Sequence, residues 1–242
     1  MIIAHFFHRT RKAGYYIRET DQFFMPFEIM NSDHHPKSVN LVIEWEYIPG
    51  TPADFDIATG VWLDVKGNCL SEPTGVGPQN VTFTVQSSTG WTSRHTADIL
   101  LMVSHIHDGN TKQEIFLDGN LVCESIPLYG ETAEYVTHQT GDSHGHDHGG
   151  DEHIYHVSSI SQCTNVGKLV RGSRLTIQSH YDMELHVPQM HNGGFEPIMA
   201  IQFVYVARPR DEAMRDILAS KNGDYKAYED QIARNLGKTS EP

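Results

Sequence analysis

Positive charge is scarce in this chain. Eighteen lysines and arginines face 31 aspartates and glutamates, a formal charge of −13 across 242 residues. A nucleic-acid phosphate backbone is therefore an unfavourable partner, because binding it needs a basic surface. Long apolar runs are missing too: none approaches the roughly 18 residues that a membrane-spanning helix requires. The only cysteines are Cys69, Cys123 and Cys163, so at most one internal disulfide can form and one thiol is left over. No nucleophilic serine or cysteine arrangement, paired-carboxylate motif or phosphate-binding loop stands out.

What is present reads as β-structure. "VNLVIEWEYI" (39–48), "GVWLDV" (60–65), "NVTFTVQSS" (80–88), "ADILLMVSHIH" (97–107), "QEIFLDGNLVCES" (113–125), "RLTIQSHYD" (174–182) and "PIMAIQFVYVA" (197–207) are rich in β-branched and aromatic residues. Several alternate with period 2, and Gly, Pro, Asn or Asp clusters separate them. Gly119 and Asn120 in "LDGNL" tolerate positive φ and predict a tight hairpin. The fold expected is an all-β antiparallel sandwich or jelly roll. "RDEAMRDILAS" and "DYKAYEDQIARNL", broken at Asn222-Gly223, predict a short helical tail over 208–242. Residues 138–156, "HQTGDSHGHDHGGDEHIYH", hold six histidines among Gly, Asp and Ser and read as a mobile loop.

"HIHDGN" carries the candidate chemistry. In a strand, residues i and i+2 point to one face, so His105 and His107 can converge on one ion. Alternation places Leu101 and Val103 on that face, looking inward. Met199, by the same logic, shares a face with Ile201, Phe203 and Tyr205 and reads as a core methionine. Joined to two imidazoles, however, its thioether would favour Cu(I) over Zn(II) or Mg(II). A cupin site is disfavoured, since Glu114 falls seven residues after His107, beyond the turn, and no second matching motif follows.

The order of "HIHDGN", "GNLVCES", "EHIYHVSSISQC", "KLVRGSRLTIQSHYD" and "EPIMAIQFVYV" resembles the stress up-regulated nodulin family, as do "AGYYIRETDQFFMPFEIMNSDHHPKSVNLVIEWEYIPG" and "GVWLDV" upstream. The likeness covers roughly residues 13 to 207. That family is similar in turn to the copper type II, ascorbate-dependent monooxygenases, such as the peptidylglycine α-hydroxylating enzymes. Those have two jelly-roll domains with one copper each. The resemblance implies copper as cofactor, held by His105, His107 and Met199 as in the oxygen-activating second domain. It also implies a partial first domain over 1–57, truncated or degenerate, and a copper monooxygenase-like domain over 58–207. The enzymes' first-domain pair of adjacent histidines has no convincing counterpart: His34-His35 lies in a polar turn, and Met30 falls near the third ligand's position.

Other residues add expectations. His153, in "EHIYHVSSISQC", is a candidate further ligand. Tyr181 and Asp182 are candidates to orient a ligating ring, since metal-bound histidines commonly bond a second partner. Cys123 and Cys163 end segments flanking the His-rich excursion and could close it as a disulfide. Asn80-Val81-Thr82 is a glycosylation sequon, usable only on the secretory route. "MIIAHFFHRTRK" is a poor signal peptide, so secretion is expected only with a missing upstream segment. Two functions compete: a monooxygenase-like enzyme acting on a small-molecule or peptide substrate, and a non-catalytic copper-buffering or β-sandwich interaction protein.

Overall fold

A computed structural model describes residues 11–19, 21–23, 25, 36–65, 81–87, 90–139, 152–188, 190–191, 194–195 and 198–219. Asn80, Cys69, Met30, His34, His35, the loop histidines 144, 146 and 148 and the segment 224–236 expected to form a second tail helix lie outside them. The chain is built from strands β1 (Ala13–Tyr15), β2 (Asp56–Asp64), β3 (Thr82–Gln86), β4 (Trp91–Thr92), β5 (Ala97–Ile106), β6 (Asn110–Leu117), β7 (Asn120–Ser125) and β8 (Pro127–Tyr129). It continues through β9 (Val136–Gln139), β10 (Glu152–Tyr155), β11 (Val157–Ile160), β12 (Gly167–Leu169), β13 (Arg174–Asp182), β14 (Met190–His191), β15 (Gly194–Phe195) and β16 (Ala200–Arg208). The α-helix α1 (Arg210–Ala219) follows Pro209, which cannot extend a strand ladder.

Two sheets form a sandwich. The first runs β1-β2-β16-β5-β12, and the second β3-β13-β6-β7 with β4 also paired to β13. Every pairing is antiparallel except β1 with β2. Met102, Leu169, Ala200 and Val204 from the first sheet meet Ile115, Leu175, Ile177 and Tyr181 from the second, all at most 1% exposed. Burying such side chains removes apolar surface from water, worth about 1.5–3 kcal/mol for each large one. Cys123 on β7 and Cys163 cross-link the faces: their sulfurs are 2.00 Å apart and their Cα atoms 5.8 Å. Cys163 is itself tied to β5, exchanging backbone hydrogen bonds with Met102 at 2.9 and 3.1 Å. The bridge therefore spans from one sheet to the other.

A bulge in β5 overturns one expectation. Tyr205 of β16 pairs with Leu101 but Val206 pairs with Ile99, so Leu100 is the extra residue. An inserted residue flips every side chain beyond it to the other face. Ala97 and Ile99 point into the core, and after the bulge Met102, Ser104 and Ile106 do so instead. Leu101, Val103 and His105 thus lie on the outer face, half-buried or exposed, and not inward as strict alternation predicts.

Three local differences follow from pairing. Residues 39–48 have a strand-like pattern, yet they form no strand apart from a bridge at Tyr47, and Leu41, Ile43 and Trp45 are at least half exposed. β-propensity describes fit to a half-buried sheet surface, and the pattern alone does not supply one. The hairpin after β6 turns on Asp118 and Gly119, with φ of 50° and 84°, while Asn120 opens β7, a shift of one residue from the sequence reading. The base of the His-rich segment is a hairpin, with His138 opposite His153.

Candidate metal centre

His105 and His107 stand at the end of β5 on the outer face of the first sheet. Their ring centroids are 5.4 Å apart, and their planes are nearly perpendicular at 80°. Ile201 is directly across from His105, and the last paired residues are Ala200 and Ile106. Met199 precedes Ala200 and His107 follows Ile106, so each lies one residue beyond the last pair of the ladder. His105 is exposed by surface area, but enough protein surrounds it for desolvation, with the charge of His107 second, to hold its pKa below the usual histidine value. That favours the neutral ring, the form that binds a metal. Among the described residues no three His, Cys, Asp or Glu side chains group around a common point. A third protein donor for the histidine pair would have to be a thioether or lie elsewhere.

The turn after His107 is fastened from outside the sheet. Asp108 accepts hydrogen bonds from the Val157 N–H at 2.8 Å and, with its other oxygen, contacts Nδ1 of His156 at 2.6 Å. The opposite ring nitrogen of His156 is 2.9 Å from the Thr137 hydroxyl. Tyr129 donates its hydroxyl to the Asn110 carbonyl at 2.7 Å and stacks on His186 with centroids 3.6 Å apart. Burial raises the Tyr129 phenol pKa far above its ordinary value, so it stays a donor. Gly109, at φ +93°, sits where a Cβ would fall 2.6 Å from the Met183 sulfur, so only glycine fits this turn.

From inside, a polar network underlies the same strands. Gln202 accepts from Ser104 at 2.7 Å and from Gln113 at 3.1 Å. Ser179 donates to Gln113 at 3.3 Å and accepts from the Asn110 amide nitrogen at 2.7 Å. All five residues are at most 3% exposed, and the Asn110 amide oxygen is buried without a partner among the described residues. Tyr181, stacked on Phe83 at 4.9 Å, donates to the Met199 carbonyl at 3.2 Å. Burial pushes its pKa up to about 12. Tyr181 therefore anchors the backbone of Met199, whereas the sequence had offered it for a histidine ring. Asp182 accepts from the N–H groups of Glu184 and Leu185 at 3.1 and 2.9 Å and holds the turn after β13.

His153 is exposed in β10, opposite His138, with its ring 6.4 Å from that of Tyr155. Sequence reasoning missed Asp108, Asn110, Tyr129 and His186, and gave His156 no specific partner. The signal available was Asp108, directly after the histidine pair in "HIHDGN". Its distant partners were not recoverable from spacing.

A β-sandwich with a His-x-His pair at a strand end is the class that fold and site define. Two curated fungal proteins are similar to the chain. One, from a Phoma species and named "Probable copper-dependent oxygenase M1", is 25% identical over 198 residues, covering 81% of this chain and 46% of that protein. The other, from Cochliobolus lunatus and named "Probable copper-dependent oxygenase clz3", is 24% identical over 198 residues, covering 81% of this chain and 58% of its own length. The chain thus spans about half the length of these relatives. It is a distant relative of proteins named as copper-dependent oxygenases. No family model matches, so the nodulin likeness rests on its motifs alone, and no solved structure matches.

Proposed function

We propose that the chain is a copper-binding, oxygenase-like domain over 58–207 in which His105, His107 and Met199 form the ligand set. One observation supports this reading: the two imidazoles stand at the end of β5 with ring centroids 5.4 Å apart, and Met199 lies one residue beyond the Ala200–Ile106 pair that closes the adjoining ladder. The donor types fit the metal, since two imidazoles and a soft thioether suit Cu(I) better than harder cations. The relatives' names agree with copper.

When bound, copper supplies one-electron redox chemistry and oxygen activation. The chain's own part is positioning. Desolvation keeps His105 neutral and ready to donate a lone pair. The Asp108–His156 contact fixes the turn that aims His107, and Tyr181 fixes the backbone of Met199. The bulge at Leu100 puts the pair on an outward face, which a substrate can approach.

Metal analysis of protein purified without a His tag, with ascorbate-dependent oxygen consumption measured beside it, tests the reading. One copper per chain, lost in His105→Ala/His107→Ala, is expected, together with oxygen uptake that the same variant abolishes. Copper without uptake would instead favour a metal-buffering protein. No stoichiometric copper would overturn the proposal.

A further inference from the structure

Arginines gather in one place on this acidic chain. Arg94, Arg171, Arg208 and Arg215 line a single open cleft of about 1040 Å³, formed by the β4–β5 turn, the β12–β13 turn, the end of β16 and α1. Glu212 and Asp216 also line it, which leaves two positive charges in excess before His95 is counted. Outside the cleft, Arg11 contacts both Asp56 and Asp98, and Arg18 contacts Asp21. Arg94 and Arg171 have no acidic partner among the described residues. Arg208 is paired with Asp216, yet its Nε is buried with no acceptor among the described residues. Buried donors in native proteins rarely go unmatched, and the described residues leave this guanidinium incompletely satisfied.

The frame of the cleft is fixed by backbone bonds. Gly172 N–H donates to the Ser93 carbonyl at 2.8 Å, and Ser93 N–H donates to the Ser173 carbonyl at 2.8 Å. Arg171 N–H reaches the Thr96 hydroxyl at 3.3 Å, and Ser93 closes its own turn onto the His95 carbonyl at 2.6 Å. Arg94 and Arg171 are thereby carried on two turns that are laced together. Arg208 beside Asp216 holds that carboxyl below its usual pKa, so the acid is spent on Arg208 and not on the two turn arginines.

We infer that this cleft is an oxyanion site that takes a ligand bearing a phosphate group. A single planar carboxylate is satisfied by one guanidinium fork, whereas a tetrahedral dianion presents oxygens to several at once. The cleft lies beyond the start of β5 and the histidine pair beyond its end, about 30 Å apart at 3.3 Å per residue. The site is independent of the metal proposal.

The full chain, metal-free and at matched ionic strength, is titrated with inorganic phosphate, pyrophosphate and acetate by calorimetry and amide NMR. Saturable phosphate binding with a dissociation constant below about 1 mM is expected, with shifts centred on residues 93–96, 171–173 and 208–216. Arg94→Gln/Arg171→Gln, both exposed positions, should weaken it at least about tenfold with unchanged thermal stability. Arg11→Gln, outside the cleft, should leave it intact. Linear, unsaturating shifts, acetate binding as tightly as phosphate, or full affinity in the double variant would each overturn the inference.

Discussion

Reducing the Cys123–Cys163 bridge reopens a closed loop with 40 residues of sequence separation, which includes the whole His-rich segment. In the chain-entropy account, closure of a loop that long stabilises the folded state by about 4 kcal/mol at 25 °C. At roughly 2–4 °C per kcal/mol for a chain of this size, the melting temperature should fall by about 8–16 °C. Reduction removes no heavy atom, so packing around Cys123, 3% exposed in the core, is largely retained and the crosslink is isolated. Cys123→Ala/Cys163→Ala should fall further, because a buried sulfur is also lost. Circular dichroism melts with and without a phosphine reductant measure the difference. Thiol titration of the denatured, unreduced protein should give one free thiol of the three cysteines. A shift under about 2 °C on full reduction would refute the loop-closure reasoning, and three thiols before reduction would refute the bridge.

Tyr181→Phe removes only the hydroxyl that holds the Met199 carbonyl; it should cost about 1 kcal/mol in a denaturant melt and weaken Cu(I) binding without lowering copper stoichiometry. Asp108→Ala strips acceptors from both the Val157 N–H and His156 and should cost about 1–3 kcal/mol, more than His153→Ala at its exposed position, in the same assay. Desolvation lowers the His186 pKa below 6.5 in the fold, so as pH falls through 6.5 the unfolded chain takes up the proton first and stability is lost from there down to the depressed folded value. His186→Phe, which keeps the stack on Tyr129, should shrink the drop in melting temperature between pH 7.5 and pH 5; an unchanged drop would assign it to other groups.

Strands were the most legible part of the sequence, because period-2 alternation and turn residues report local physics directly. β13 falls on "RLTIQSHYD", and α1 follows "RDEAMRDILA". What alternation could not report was the bulge at Leu100, since nothing in "ADILLMV" distinguishes an inserted residue from a regular strand. That single residue decides whether His105 faces the core or solvent. Residues 39–48 show the opposite failure, a strand pattern without a strand, because pairing depends on partners that a pattern does not contain. At the candidate centre, the histidine pair was readable from its i, i+2 spacing. Its supports were not, because Asp108 meets His156, and Tyr181 meets Met199, across 48 and 18 positions of sequence.

X-ray absorption on Cu(I)-loaded protein tests the ligand set most directly. Wild type should show two imidazole nitrogens and one sulfur around the copper. In Met199→Leu the sulfur shell should vanish while both imidazoles persist, and in His105→Ala/His107→Ala stoichiometric copper should be lost. A wild-type spectrum without sulfur, or a sulfur shell that survives Met199→Leu, would contradict this ligand set.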